Sequence, residues 1–119
     1  MLSEELDDFE KAISNLLLRE GEQGKPIELT QALKDRRPGV RELAVYLLGR
    51  EKSLAVVDTL VEALKDENPR VRRLAAQSIG SIGIGGQETL DSLRQALNHD
   101  EDPLVRMEAT RAVERIKKR

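Results

Sequence analysis

The amino-acid sequence predicts an all-α fold, an α-solenoid superhelix in which three antiparallel helix pairs follow an N-terminal half-repeat. Two observations lead to this expectation. A motif recurs along the chain at an interval of about 31 residues. Apolar residues on both sides of that motif follow the spacing of three to four residues that is typical of helices.

The repeated motif consists of an aspartate, a proline three residues later and the dipeptide Val-Arg. It reads Asp-Arg-Arg-Pro-Gly-Val-Arg from Asp35, Asp-Glu-Asn-Pro-Arg-Val-Arg from Asp66 and Asp-Glu-Asp-Pro-Leu-Val-Arg from Asp100. Proline is favoured in the first turn of a helix and disfavours helix in the residue before it. The motif therefore marks the corner between two helices of each repeat.

The helices before and after each corner are named A and B. Before the first corner, Leu29 and Leu33 lie four residues apart on one helix face, and the same spacing recurs in the next two repeats. After the corner, apolar residues follow Val40 in the i, i+3, i+4, i+7, i+8 pattern of a helix that faces a core. We predict seven helices, near residues 3–20, 26–34, 38–49, 53–66, 69–81, 87–98 and 103–117.

The N-terminal segment is predicted to be a B helix without its A helix. Phe9 precedes Val40 by 31 residues, and the same interval separates Val40 from Val71. Asp7 and Glu10 stand where the full repeats have proline and arginine, as expected of a terminal repeat whose outer side faces water. We expect a single repeat domain over residues 1–119, divided into a capping helix (1–21) and repeats at 26–49, 53–81 and 87–119.

Glycines follow the last apolar residues of the first two B helices. Gly49 and Gly80 are suited to the left-handed position that often ends a helix, and we predict that role for both. The third B helix has Glu114 at the equivalent position. We therefore expect this helix to continue towards Lys118.

An Asp-x-x-Pro-x-Val-Arg corner, followed by a B helix that begins Val-Arg-x-x-Ala, resembles the HEAT repeat. More narrowly, the sequence is similar to the short HEAT-like repeats of phycobilisome lyase-type proteins. The resemblance covers the chain from Phe9 to Ile116. It implies an armadillo/HEAT-type superhelix that serves as a protein-binding scaffold, and it implies no chemistry by itself.

Composition excludes several classes of function. Lys and Arg number 20 against 22 Asp and Glu, and the net charge of −2 argues against a basic nucleic-acid binder. The chain has no cysteine, which rules out disulfides, thiolate metal sites and thiol catalysis. The sequence offers neither a membrane span nor a signal peptide, so we expect a cytoplasmic protein.

Two columns of opposite charge recur with the corners. The arginine column alone would suggest a basic stripe for phosphates or an acidic partner. The resemblance to HEAT-like proteins implies instead a ladder in which aspartates and arginines pair between neighbouring repeats, and we expect this structural role. The ladder residues are Asp35, Asp66, Asp100, Arg41, Arg72 and Arg106.

No catalytic, cofactor or metal site is predicted. The glycine-rich stretch at 80–86 lacks the spacing and the preceding strand of a phosphate-binding loop, so we expect a helix end and a turn there. His99, the only histidine, lies in a short acidic loop that lacks the ligand series of a calcium site. With one histidine and no cysteine, the usual catalytic triads cannot be built.

The B helices are predicted to line the concave surface of the solenoid and to bind a partner protein there. Tyr46, the only tyrosine, would supply an amphipathic anchor beside Val45 and Met107. The residues predicted to form this face are Glu42, Val45, Tyr46, Arg73, Ala76, Gln77, Met107, Thr110 and Arg111.

Three functions are compatible with this face. The first is a non-catalytic scaffold or adaptor for another protein. The second, implied by the resemblance alone, is an accessory subunit of a bilin lyase system that processes phycobilisome proteins. The third is nucleic-acid binding, which we expect to be weak and to disappear at moderate salt, because the face mixes Arg73 and Arg111 with Glu42.

The two ends of the sequence differ in charge. Residues 1–10 hold five acidic side chains and no base, whereas residues 110–119 hold five basic side chains and one acid. Helix dipoles favour this distribution at the first and last turns. In the third B helix, Glu108 replaces Leu43 and Leu74, which we interpret as a polar surface for the C-terminal end. We expect a monomer, with at most weak, salt-sensitive head-to-tail pairing.

Deleting residues 1–20 is expected to unfold the chain or to make it oligomerise. Without the predicted capping helix, Leu29 and Leu33 of the first A helix lose their cover, and each lost apolar contact costs about 2–5 kcal/mol. A domain of this size has only about 5–15 kcal/mol of stability. Thermal denaturation and size-exclusion chromatography check this, and a monomeric deletion variant of unchanged stability contradicts the half-repeat.

Overall fold

The structure, a computed structural model, describes the backbone of residues 25–117 and the side chains of residues 29–117. This part of the chain contains six α-helices and no strand, which confirms the predicted all-α array. The capping helix predicted near residues 3–20 lies outside the described residues. The helices are α1 (Lys25–Ala32), α2 (Pro38–Glu51), α3 (Val57–Ala63), α4 (Pro69–Ile82), α5 (Gln87–His99) and α6 (Pro103–Lys117).

The A helices α1 and α3 are shorter than their apolar patterns suggest. A 3₁₀ turn over Leu54–Val56 precedes α3, because the Ser53 hydroxyl accepts a hydrogen bond from the Ala55 amide at 3.1 Å and tightens the first turn. After Ala63, amides bond to carbonyls three residues back, so the last turn also tightens before the corner. The predicted limits of 26–34 and 53–66 therefore include turns that are not α-helical.

Each B helix begins at the proline of its corner, as the motif predicts. In the second repeat, a carboxylate oxygen of Asp66 accepts a hydrogen bond from the Asn68 amide at 2.9 Å, and Asn68 accepts one from the Arg70 amide at 2.8 Å. Asp100 and Asp102 make the equivalent bonds in the third repeat. Short polar side chains thus satisfy the amides that the start of a helix leaves without partners.

The B helices α2, α4 and α6 stack against one another to form the inner layer. Contacts between successive B helices are far more extensive than those between successive A helices. The stack is therefore packed more tightly on its B side than on its A side, as expected of an array that curves towards its B helices. The largest fully buried side chains belong to both layers and form one core: Leu29, Val45, Leu48, Leu60, Val71, Ile79, Leu93 and Val105.

The prediction that Gly49 and Gly80 end their helices is wrong. Helix α2 continues to Glu51 and ends at Lys52, whose backbone is left-handed with φ 51°. Helix α4 continues to Ile82 and ends at Gly83, with φ 72°. The glycine-rich stretch does contain the predicted helix end, three residues later than expected.

Gly49 and Gly80 instead allow successive B helices to approach closely. A β-carbon on Gly49 would lie 2.5 Å from Cβ of Ser78 on α4, and one on Gly80 would lie 3.0 Å from Cα of Ala112 on α6. Ser78 and Ala112 occupy equivalent positions in their repeats, so the same contact occurs twice. In α6 the equivalent of these glycines is Glu114, which is exposed.

Replacing Gly49 by alanine is expected to destabilise the protein. Alanine gains about 1 kcal/mol of helix propensity, but overpacking costs about 1–3 kcal/mol, and the 2.5 Å approach to Ser78 favours the larger value. The comparison variant is Gly86→Ala, where a β-carbon has no neighbour within 4 Å; because Gly86 is the N-cap of α5, alanine there should cost only about 1 kcal/mol. Urea denaturation measures both variants, and equal stabilities would contradict the close-approach role.

Candidate protein-binding face

The guanidinium group of Arg41 links two repeats. Its Nε and Nη2 atoms donate to the carboxylate of Asp66 in the next repeat at 2.9 and 3.1 Å. Its Nη1 donates to the backbone carbonyl of Asp35, in its own corner, at 2.8 Å. One arginine therefore closes its own corner and fixes the position of the following one.

The same arrangement recurs one repeat later. Arg72 donates through Nε and Nη2 to Asp100 at 2.9 and 3.2 Å, and through Nη1 to the carbonyl of Asp66 at 2.9 Å. Arg106 makes the bond within its own corner, to the carbonyl of Asp100. Among the described residues, the predicted ladder thus has two complete rungs.

The arginine–aspartate pairs that form the rungs of this ladder are largely shielded from water. The side chains of Arg41 and Asp66 are 8% and 14% exposed. Hydrogen bonds from Arg41 to Asp66 raise the pKa of the guanidinium above its already high value, against the opposing effect of burial. The Arg41 and Arg72 side chains are thereby committed to the ladder and do not form a free stripe for phosphates.

Asp35 stands at the first corner and has a different partner. Its carboxylate accepts hydrogen bonds from Nε and the backbone amide of Arg37 at 3.0 and 2.9 Å. These bonds hold the pKa of Asp35 below its ordinary value. Because the folded-state pKa is lowered, this stabilisation is present above the ordinary aspartate pKa and is lost as the pH falls through the lowered one.

The structure places two of the nine predicted face residues in the core. Val45 and Ala76 are 0% exposed, so the expectation that their side chains reach a partner is wrong. They lie on the side of each B helix that faces the next repeat. The Ser78 hydroxyl on α4 donates to the carbonyl oxygen of Val45 at 3.2 Å, which shows how closely α4 covers this side of α2.

The other seven predicted residues reach the surface to different degrees. Tyr46 is 49% exposed and Met107 40% exposed. Glu42 and Arg73 are half-buried. Gln77, Thr110 and Arg111 are exposed, although the Thr110 hydroxyl also bonds back to the carbonyl of Arg106 at 2.9 Å.

A groove of about 480 Å³ crosses the B helices, and we name it the B-face groove. Three exposed predicted residues line it, Tyr46, Gln77 and Arg111, together with the buried Ala76. The remaining predicted residues do not line it. Its other lining residues are Gly49, Arg50, Lys52, Ser78, Gly80, Ser81, Glu108, Ala112 and Arg115.

Sequence reasoning found one part of the groove and missed the residues one helical turn further along the B helices. Arg50, Ser81 and Arg115 each follow a predicted groove residue by four positions and therefore share its helix face. They also occupy equivalent positions in the three repeats. Extending the predicted columns by one turn would have found these residues.

Glu108 does not lie where the sequence analysis placed it. We expected it at the surface beyond the last repeat, but its side chain is only 12% exposed and lines the groove between α4 and α6. It shares this helix face with Ala112, which contacts Gly80 of the preceding repeat. Glu108 thus replaces a leucine that would face the preceding B helix.

The groove combines an aromatic ring with charged side chains. The guanidinium of Arg50 lies over the ring of Tyr46, 5.9 Å from its centre, a distance typical of a cation–π contact. Arg111 lies 4.0 Å from the carboxylate of Glu108. Four cations but only one carboxylate line the groove.

His99, the remaining candidate residue of the sequence, lies outside the B-face groove. His99 is exposed and lies beside Asp100 in an open cleft of about 550 Å³ between α3 and α5. In the part of the chain that the structure describes, no group of three or more acidic or histidine side chains is arranged to hold a metal ion. No helix between residues 25 and 117 is long and apolar enough to cross a membrane.

Paired helices, proline corners and an inter-repeat ladder define an α-solenoid built from two-helix repeats. Residues 27–114 match the family model described as HEAT repeats, and the chain belongs to the HEAT-repeat family. No curated protein matches the sequence.

Among solved structures, the chain is similar to human deoxyhypusine hydroxylase in complex with glycerol. The two share 27% sequence identity and superpose with a TM-score of 0.69. The match covers 82% of this chain and 33% of the human protein, so this chain spans about a third of that protein's length. The similarity therefore covers one stretch of helical repeats.

Replacing Arg72 by methionine is expected to destabilise the protein by about 3 kcal/mol, because it leaves a buried carboxylate without its partner. The Asp100 side chain is 9% exposed. Arg70→Met in the same helix is the control, with an expected change within about 0.5 kcal/mol, because Arg70 is exposed. Urea denaturation measures both, and equal stabilities of the two variants would refute the role of the rung.

Proposed function

We propose that this protein is a non-catalytic scaffold or adaptor that binds another protein in the B-face groove. HEAT repeats generally mediate protein interactions, and this chain belongs to that family. The observation that carries the proposal is the groove itself, where Tyr46 remains 49% exposed beside a concavity of about 480 Å³. Tyrosines in such positions often dominate the energy of protein interfaces.

The shape of the groove favours a polypeptide over a small molecule. It is an open trough across three helices, and its walls carry both polar and apolar side chains. Small-molecule sites usually enclose most of their ligand. A peptide or a helix laid across the B helices needs only one buried side and leaves the other in water.

We propose no reaction for this chain. The human protein it resembles is named for a hydroxylase activity, but the resemblance spans about a third of that protein. An accessory role in a bilin lyase system remains the alternative implied by the short HEAT-like repeats. Incubation with bilin and an apo-phycobiliprotein tests that alternative, which predicts adduct above the uncatalysed background.

Replacing Tyr46 by alanine is expected to abolish capture of a specific partner protein. Affinity capture from a native extract is run with the wild-type chain and with Tyr46→Ala. Leu104→Ala is the matched control, because Leu104 is also a large apolar side chain, 44% exposed, but does not line the groove. It should retain every partner of the wild type.

Amide exchange on the purified complex then locates the interface. The proposal predicts slowed exchange in α2, α4 and α6 around the groove. Protection confined to the A helices, or equal losses of capture with Tyr46→Ala and Leu104→Ala, would contradict it.

A further inference from the structure

We propose that the partner segment seated in the B-face groove is acidic. This inference rests on the proposed function and adds the chemistry of the ligand. Four cations line the groove: Arg50 from α2, Lys52 from the turn that follows it, and Arg111 and Arg115 from α6. The net charge of the whole chain is −2, so the positive charge is a local property of this surface.

Most of these cations have no acidic partner in the described chain. Among the described side chains of residues 29–117, the one carboxylate within ion-pair distance of any of the four is Glu108, 4.0 Å from Arg111. Arg50 contacts the Tyr46 ring, and Lys52 and Arg115 make no ion pair there. Cations that converge on one trough raise the local potential and attract a negatively charged ligand.

Helix dipoles favour three of these four cations. Arg50 and Arg115 lie in the last turns of α2 and α6, and Lys52 is the C-cap residue of α2. Arg111 lies before the last turn of α6. The helix ends and Arg111 together bring positive charge to the same groove.

The backbone at Lys52 provides a second, independent observation. Lys52 has φ 51°, and its equivalent in the next repeat is Gly83 with φ 72°. Glycine adopts this left-handed conformation at lower cost than any residue with a side chain. A lysine at the strained position places an ammonium group at the rim of the groove, where glycine would add no charge.

Other residues of the groove favour a polypeptide over a nucleic acid. Phosphates recur at every nucleotide, so a nucleic acid along the groove would place one near the Glu108 carboxylate in the wall. An acidic peptide can instead place a backbone amide there, which donates a hydrogen bond to that carboxylate. The side chains of Gln77 and Ser81 can pair with backbone groups. The Tyr46 ring offers apolar contact for one large side chain.

The test uses the full chain and a fluorescein-labelled peptide rich in glutamate and leucine. The control peptide has glutamine in place of every glutamate. Fluorescence anisotropy should show binding of the acidic peptide that weakens as salt rises, and no binding of the glutamine peptide. Arg50→Glu and Arg115→Glu should each weaken binding about tenfold or more, because each places like charges in contact.

Arg70→Glu is the matched control variant. It makes the same change of net charge on an exposed side chain outside the groove, so binding should be unchanged. Thermal denaturation followed by circular dichroism verifies that each variant is folded. Lys52→Gly should also weaken binding while raising thermal stability, a combination that a merely unfolded variant cannot give.

Three results would overturn the proposal. The first is equal binding, or equal absence of binding, of the two peptides. The second is tighter binding of duplex DNA than of the acidic peptide at the same salt concentration. The third is a dimer in sedimentation equilibrium that Arg115→Glu dissociates, which would make a second copy of this chain the occupant. If instead Tyr46→Ala loses its captured partner while both peptides fail to bind, the proposed function stands and the acidic ligand does not.

Discussion

Each inter-repeat arginine satisfies two structural requirements with one planar group. Arg41 donates to the carbonyl that begins its own corner and to the carboxylate of the next repeat, and Arg72 does the same one repeat later. Because the same aspartate oxygens also receive the amides that start the B helices, the corner, the helix start and the stacking of repeats depend on one another. Loss of an arginine leaves a largely buried carboxylate without its opposite charge.

Sequence reasoning succeeded where the determining interactions are local or recur with the repeat. Proline fixes the start of each B helix within a residue, and apolar spacing identifies which helices exist. Equal columns of aspartate and arginine indicated pairing between repeats. The choice of Tyr46 as an exposed residue followed from the same periodicity, because it lies between the core positions of α2.

Other features depend on how one B helix is rotated and how closely it approaches the next, which a repeat period does not specify. Gly49 appeared to end a helix because it follows the apolar run, but its small size serves contact with Ser78 instead. Val45 appeared exposed because the pattern of one helix does not show what the neighbouring helix covers. The position of the groove along the helices and the placement of Glu108 in its wall also depend on how neighbouring B helices are rotated and packed.

Successive B helices of this solenoid are closely packed, whereas successive A helices make few contacts. The B-face groove is formed by α2, α4 and α6, yet α2 and α6 make no extensive contact with each other within the described chain. The distance between α2 and α6, and with it the width of the groove, therefore depends on how each of them packs on α4. A ligand that contacts both α2 and α6 would therefore fix the distance between these two helices.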